Sequence, residues 1–173
     1  SQGTADIIPT GVQDMAIYMK VPGVDGAVTA SGYEKWIPLD SMQFGVGRHV
    51  DMTVGDATNR ESTRPSFSEI TVSKQSDDAS AGLFNESILN SSGKKIEIAL
   101  CRTNNDKIEE YMKYTLTDAL ISSFSMSSGG DIPSESISLS YVHLEVAYTT
   151  RDAKGGVSGP VRVAYDLAKG TKG

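Results

Sequence analysis

The stretch EYMKYTLTDALISSFSM, residues 110–126, decides the fold class. Apolar side chains recur on one parity along it, at Met112, Tyr114, Leu116, Leu120, Phe124 and Met126. A two-residue period is that of a β-strand, because successive side chains point to opposite faces of a sheet. The stretch therefore predicts one long strand in a mainly β protein.

The same period predicts strands before and after this stretch. They cover residues 16–21, 35–45, 67–74, 96–101, 135–149 and 161–167. Many short strands and few helical segments indicate a small β-barrel or sandwich of two sheets with a helix docked on it. We find no internal repeat, and we expect a single domain from residue 15 to residue 173.

One helix is predicted, from Asp78 to about Asn90. Ser76 and Asp77 precede it and offer capping oxygens at its positive end. Its apolar side chains fall on one stripe at helical spacing, at Leu83, Phe84, Ile88 and Leu89. We expect this stripe to face the core, so that the helix flanks the barrel as a lid.

The segment 135–149 carries apolar residues on both parities. Ile137, Leu139 and Tyr141 take one parity, and Val142, Leu144, Val146 and Tyr148 take the other. A strand changes its buried face only at a bulge, unless both of its faces are covered at different points. A barrel strand that also touches a neighbouring subunit would have this pattern.

A long polar segment, residues 46–65, separates two predicted strands. Compact domains seldom keep about twenty residues without regular structure unless these residues have a function, because ordering them costs entropy. We interpret the segment as an arm that orders on contact during assembly; plain disorder is the alternative.

Composition excludes several classes of protein. The chain has 173 residues, 38% of them hydrophobic, and a net charge of −6. No cluster of Lys and Arg offers a nucleic-acid site, and no apolar run reaches the ~20 residues of a membrane-spanning helix. No signal peptide is visible. Residues 1–14 have no clear period, and we interpret them as a flexible leader or an added, non-native segment.

No catalytic, cofactor or metal motif is present. The sequence lacks a nucleophile elbow, a phosphate-binding loop and paired-cysteine spacing. His143 shares a strand parity with Glu145, which is typical of a surface ion pair. The single cysteine, Cys101, excludes an intramolecular disulfide and is expected to be a buried or interfacial thiol. We expect a protein that is not an enzyme and needs no cofactor.

Several stretches in order resemble the Hcp (haemolysin-coregulated protein) family of type VI secretion systems. MAIYMKV at 15–21, with GVDG at 23–26, is similar to the family's opening strand and turn. SSGK at 91–94 resembles the family's helix exit. The most specific stretch is EYMKYTLTD followed by ALISS, residues 110–123. Residues 136–148 and 159–167 resemble the family's late strands, whereas residues 44–65 depart from its usual pattern.

The resemblance implies a β-barrel subunit with a flanking helix, six copies of which close into a ring. Rings stack into a tube inside a contractile sheath, and contraction exports the tube from the bacterial cytoplasm without a cleaved signal peptide. The implied partners are other copies of the chain and the sheath, spike and baseplate proteins. Effector proteins carried in the ring lumen are a further possible partner; nucleic acid and membrane insertion are not implied.

Three sets of residues are candidates for this assembly. Ser41 and Gln43 share a parity opposite Met42 and Phe44, and we expect them to face the lumen. Ring stacking is assigned to the long segment, with Arg48, His49, Asp51, Arg60 and Arg64. The contact between subunits is assigned to Val142, Leu144 and Val146. A phage-like tail tube subunit, or a secreted effector or chaperone that builds no tube, remains an alternative.

Overall fold

Within the described residues, the fold consists of two main β-sheets, one short two-stranded ladder and one helix. The computed structural model describes residues 15–48, 65–89, 92–104, 107–149 and 159–172. The helix is α1, Ser80–Ile88, and the strands are β1 Met15–Lys20, β2 Ile37–Leu39, β3 Ser41–Gln43, β4 Val46–Gly47, β5 Ser66–Phe67, β6 Ile70–Gln75, β7 Lys94–Asn104, β8 Lys107–Ser127, β9 Ser134–Ser140, β10 His143–Tyr148, β11 Val161–Asp166 and β12 Thr171–Lys172. The predicted mainly β class with one flanking helix is confirmed.

The long strand β8 is shared by both sheets. Its first half pairs with β7 and β10, and its second half, from Leu120 to Ser127, pairs with β9. Sheet 1 has the order β2-β1-β7-β8-β10-β11-β12, and sheet 2 has the order β3-β6-β9-β8. All pairs are antiparallel, and β4 pairs with β5 in a separate short ladder.

The two sheets also meet at a corner between β2 and β3. Asp40 separates these strands, and its backbone N–H donates to the Ser73 carbonyl at 2.8 Å. In the part of the chain that the structure describes, the ladders do not close into a continuous barrel. The predicted barrel is therefore better described as two packed sheets joined through β8 and through this corner.

Two irregularities change the buried face along β8. Asp118 has a φ of +51°, and after it Ala119 and Ile121 take the buried positions that Leu116 holds before it. A register shift between Ile121 and Ser123 then restores the first parity. Leu120 is consequently 40% exposed, although it shares its sequence parity with Leu116.

The predicted single strand over 135–149 is wrong. The chain leaves sheet 2 at the end of β9, turns at Tyr141 and Val142, and enters sheet 1 as β10. Ile137 and Leu139 face the core from one sheet, and Leu144 faces it from the other. The change of sheet accounts for the change of parity, so this pattern does not require a neighbouring subunit.

The main core lies between the two sheets. Its fully buried side chains include Met19, Ile37, Ile70, Val72, Ile96, Ile98, Leu116, Ile137 and Leu139. A second, smaller cluster lies where the segment between β1 and β2 covers sheet 1, with Trp36 and Tyr33 packed near Ala99 and Cys101. Cys101 is a buried free thiol, as expected.

The helix is shorter than predicted, and most of its apolar stripe does not face the core. Leu83 is fully buried, whereas Phe84, Ile88 and Leu89 are more than half exposed. Asp77 Oδ1 accepts from the Ala79 N–H at 2.9 Å in the turn before the helix, but Ala79 is the N-cap residue and no side chain caps the helix, so the predicted capping is not found. The expectation of a lid with a buried stripe is therefore correct only for Leu83.

Candidate functional site

The outer face of sheet 2 carries two rows of small polar side chains. The backbone register aligns Ser41 on β3, Ser73 on β6, Ser136 on β9 and Ser125 on β8 in one row. It aligns Gln43, Thr71, Ser138 and Ser123 in the next row. We call these eight residues the hydroxyl face. All four strands of sheet 2 contribute to it, and every member is neutral.

Hydrogen bonds link the hydroxyl face across its strands. Ser41 Oγ bonds to Ser73 Oγ, and Thr71 Oγ1 lies 3.5 Å from Ser138 Oγ. At the bulge in β8, the single Ser122 O–H has two acceptors within reach, the Ser138 carbonyl at 3.1 Å and Glu69 Oε2 at 3.0 Å. These bonds leave a smooth surface of short side chains, because the hydroxyl groups bond to neighbours on the same sheet.

Strand alternation places these hydroxyl groups on one side. Val72 and Ile137 point into the core from the same strands, so their neighbours in sequence must point outward. Ser41 and Gln43 are exposed, while Met42 and Phe44 pack against the core. The predicted inward and outward parity of this strand is confirmed; the lumen itself is not part of the described chain and stays a proposal.

Six members of the hydroxyl face were missed in the sequence. The signal was present in the alternation of Ser and Thr with Ile, Val and Leu along residues 70–73 and 134–140. Alternation alone does not reveal which strands lie side by side. For that reason the rows become visible only once the register of sheet 2 is known.

The three predicted interface residues do not form one exposed surface. Val142 is 38% exposed in the turn before β10, whereas Leu144 is 3% exposed and belongs to the core. Val146 is half-buried and lines an apolar groove of about 370 Å³. Phe44, which follows β3, and residues of β4, β5, β10, β11 and β12 form that groove; the strand residues are Val46, Phe67, Leu144, Val146, Val163, Ala164, Tyr165 and Lys172.

Of the residues assigned to ring stacking, only Arg48 is described, and it is exposed just after β4. His49, Asp51, Arg60 and Arg64 lie outside the described residues. The β4–β5 ladder pairs Gly47 with Ser66, so the two ends of the long segment lie side by side. The segment therefore leaves and re-enters the fold next to the apolar groove, which Val46 and Phe67 line.

The described residues hold no group of three or more His, Cys, Asp or Glu side chains that could bind a metal ion. Glu145 faces Arg162 of β11 at 3.7 Å, an ion pair across strands. Burial raises the pKa of the Cys101 thiol, which disfavours the reactive thiolate. Burial and a hydrogen bond to Glu110 likewise raise the pKa of Tyr33, whose hydroxyl lies 2.7 Å from Glu110 Oε2.

One buried charged cluster was also missed. Lys74 Nζ lies 2.9 Å from Glu135 Oε1 and 2.8 Å from Asp77 Oδ1, and both Lys74 and Glu135 are almost fully buried. Ser80 Oγ and Ser76 Oγ donate to the Glu135 carboxylate. The cluster fastens the start of α1 to β6 and β9. Its polar atoms all have partners, and we therefore interpret the cluster as a structural anchor and not as a reactive site.

Comparison with solved structures defines the class of this protein. A type six secretion system protein superposes with a TM-score of 0.83 at 24% identity, over 92% of this chain and 100% of that one. Hcp1 from Salmonella typhimurium superposes with a TM-score of 0.71 at 20% identity, over 91% and 98% of the two chains. A type VI secretion system effector from Yersinia pestis gives 0.67 at 20% identity, over 87% and 98%. The fold is thus that of type VI secretion proteins.

The family follows from the sequence itself. The model of the family described as "Type VI secretion system effector, Hcp" matches residues 18–148. No curated protein matches the chain significantly. Because the family model covers most of the chain, this protein belongs to the Hcp family of type VI secretion systems, and its function is that family's: it is a tube protein, and the family builds its tube from rings.

Proposed function

We propose that six copies of this chain close into a ring whose lumen is lined by the hydroxyl face, and that such rings stack into a tube. The observation that carries the proposal is the pair of neutral rows across all four strands of sheet 2. A lumen through which a folded cargo must pass needs a wettable surface without strong fixed charge. Short hydroxyl side chains meet both requirements, since they bond to water and project little into the channel.

The edges of sheet 2 support the same proposal. Its outer strands are β3, at Ser41–Gln43, and the second half of β8. Unpaired edges invite pairing with another chain, and a head-to-tail ring covers both edges of every subunit. The contacts of Val142 and Val146 with a neighbouring subunit are part of this proposal, whereas Leu144 fills the subunit's own core.

The remaining partners follow from the family role. We propose that the tube lies within a sheath, meets spike and baseplate proteins at its ends, and leaves the cell with them. Effector proteins in the lumen would contact the hydroxyl face by hydrogen bonds. Within the described residues, no helix is long and apolar enough to cross a membrane. The chain acts here as a structural component and not as an enzyme.

Light scattering and electron microscopy of the purified chain test the proposal together. We expect a mass of about 110 kDa, six chains of 18.4 kDa, and closed rings in projection. A bulky electron-dense label at Gln43→Cys should appear inside the ring, and the same label at Ala168→Cys on the far side of the subunit should not. A stable monomer, or a label at position 43 outside the ring, would overturn the proposal.

A further inference from the structure

The apolar groove beside the β4–β5 ladder has the lining of a small-molecule site. Its volume is about 370 Å³, and Lys172 is the one charged residue among the described residues that line it. Val46 and Val163, which also line it, are more than half exposed, so the groove is open to solvent. Sites for small ligands are typically apolar clefts of roughly 300–1,000 Å³ with a few placed polar groups. The groove fits that description at its smaller end.

The floor of the groove follows from the register of sheet 1. Val146 pairs with Val163, and Leu144 pairs with Tyr165, across β10 and β11. Paired residues of an antiparallel ladder project on the same side of the sheet, and so do residues two apart on one strand. The four side chains therefore form one continuous apolar surface.

A row of aromatic rings forms the opposite wall. The Phe67 ring lies 4.7 Å from the ring of Tyr165 and 6.3 Å from that of Phe44. Phe44 in turn meets Tyr114 edge-on at 5.6 Å. These contacts hold the β4–β5 ladder against sheet 1 and shape the groove before any ligand arrives. A preformed groove spends less free energy on ordering its side chains when a ligand binds.

Lys172 places a positive charge at one edge of this surface. It pairs with Tyr165 across β11 and β12, and β12 is the outermost strand of sheet 1. Among the described residues Lys172 has no ion-pair partner, whereas Lys74 and Lys94 each have a carboxylate within 2.9 Å. Its ammonium group is thus free to bind an anion. The apolar floor on β10 begins two strands further in, at a distance of about 10 Å.

We propose that this groove binds a free fatty acid of one hydrocarbon chain. The carboxylate lies at the Lys172 ammonium group, and the tail lies along Leu144 and Val146. One anionic head matches the one cation of the lining, and the modest volume favours one chain over a two-chain lipid. The inference goes beyond the proposed function and does not rest on the ring, because all the lining residues belong to one subunit.

Calorimetric titration of the purified chain tests the site. Octanoate and decanoate are added below the concentrations at which they form micelles, and we expect one molecule bound per chain. Decanoate should bind about tenfold or more tightly than octanoate, because each buried methylene group contributes roughly a fourfold gain. Decyltrimethylammonium has the same tail with a cationic head, and it should bind much more weakly than decanoate.

Filling the groove should abolish binding. Val163→Trp places a large side chain on the floor and should weaken decanoate binding at least tenfold. Val161→Trp is the matched control, because Val161 is on the same strand and the same face but does not line the groove. Both valines are more than half exposed, so we expect both variants to fold, and circular dichroism checks this.

Reversing the charge at the edge tests the position of the carboxylate. Lys172→Glu should weaken decanoate binding about fivefold or more, since an attraction is replaced by a repulsion. Lys169→Glu changes the net charge by the same amount on an exposed side chain outside the groove, and it should leave the affinity unchanged. The affinity of Lys172→Glu for decyltrimethylammonium should rise.

The outcomes separate this inference from the proposed function. If decanoate does not bind, or binds equally well to Val163→Trp, the fatty-acid site is wrong and the groove is left to a protein partner. Equal affinities for decanoate and decyltrimethylammonium would also overturn it, because the proposed head group would then have no role. A chain that binds decanoate as a stable monomer would overturn the ring and leave the fatty-acid site standing.

Discussion

At the scale of single residues, Lys74 stands out because lysine side chains are rarely buried. It is fully buried, and its ammonium nitrogen lies within 3.3 Å of four acceptors, in Glu135, Asp77, Ser80 and the Gln75 carbonyl, which share its three N–H groups. Removing a charge from water is costly unless partners replace the lost hydration. Here the partners come from β6, β9 and the start of α1, so the charge holds three elements in register.

Lys74→Met should destabilise the subunit by about 3–5 kcal/mol, because it leaves the Glu135 carboxylate buried without its cation. Urea unfolding followed by circular dichroism measures the loss. The double variant Lys74→Met, Glu135→Leu removes both charges and should recover most of the stability. If the double variant is no more stable than the single one, the penalty does not come from the unpaired carboxylate.

Tyr141 predicts the response of the fold to alkaline pH. Burial raises its pKa to about 12, above the value of about 10 in an unfolded chain. The folded state thus keeps a proton that the unfolded state loses, so the stabilisation is complete below pH 10 and declines as the pH rises to 12. Burial raises the pKa of other groups in the same direction, at Tyr18, Tyr33, Tyr114 and Cys101.

The variant Tyr141→Phe isolates this contribution. At pH 8 it should lose about 1 kcal/mol, because the hydroxyl group donates to the Ser68 carbonyl at 2.7 Å. Between pH 10 and 12 its stability should fall less steeply than that of the unsubstituted chain. Urea midpoints at a series of pH values give both slopes, and equal slopes would contradict the assignment to Tyr141.

At the scale of elements, the close approach of the backbone before β7 to the backbone of β8 depends on a glycine. A Cβ atom at Gly93 would lie 2.6 Å from the Asp118 Cα, and Asp118 is itself held at positive φ. Gly93→Ala should therefore destabilise the fold by about 1–3 kcal/mol, since backbone must move to admit a methyl group. Gly129→Ala is the matched control, because nothing lies within 4 Å of its added Cβ.

Thermal unfolding of the two alanine variants checks this prediction. Gly129→Ala should change the free energy of unfolding by no more than about 0.5 kcal/mol. An equally small effect at Gly93 would mean that β7 and β8 separate at this point without cost. The comparison also tests whether the backbone at Asp118 is rigid.

The strands were predictable from the sequence because one face of each is buried, and burial imprints a two-residue period. The positions at which a strand changes its buried face were not predictable. At Asp118 and at Ser122 the chain alters its backbone within a strand, and at Tyr141 it passes from one sheet to the other. Each change depends on which strands are neighbours, and local alternation carries no information about neighbours.

The candidate site was likewise predictable only in part. Ser41 and Gln43 follow from the parity of one strand, whereas Ser73, Ser136 and Ser125 join them only through long-range register. The interface residues show the converse case. Leu144 carries the same apolar signal as Val142, yet it fills the subunit's own core. Hydrophobicity alone does not distinguish a core position from a contact between subunits.

At the scale of the whole molecule, different surfaces of the subunit are assigned to different roles in the proposed tube. The hydroxyl face covers sheet 2, and the apolar groove lies beside the β4–β5 ladder. In the proposed ring the hydroxyl face lines the lumen, and a further surface is needed for stacking. The β4–β5 ladder brings the two ends of the long segment together beside the apolar groove, and this segment is the proposed stacking element.

Replacing residues 48–65 with Asn-Gly tests that assignment. Gly47 and Ser66 are paired across the β4–β5 ladder, so a two-residue turn joins them in hairpin geometry. The shortened subunit should stay folded, because closing a shorter loop costs less entropy and Val46 and Phe67 are retained. We expect it to form six-membered rings that no longer elongate into tubes under conditions where the full chain does, as judged by electron microscopy and light scattering. Tubes from the shortened chain would refute the stacking role. Loss of the folded subunit would instead assign the segment to the fold.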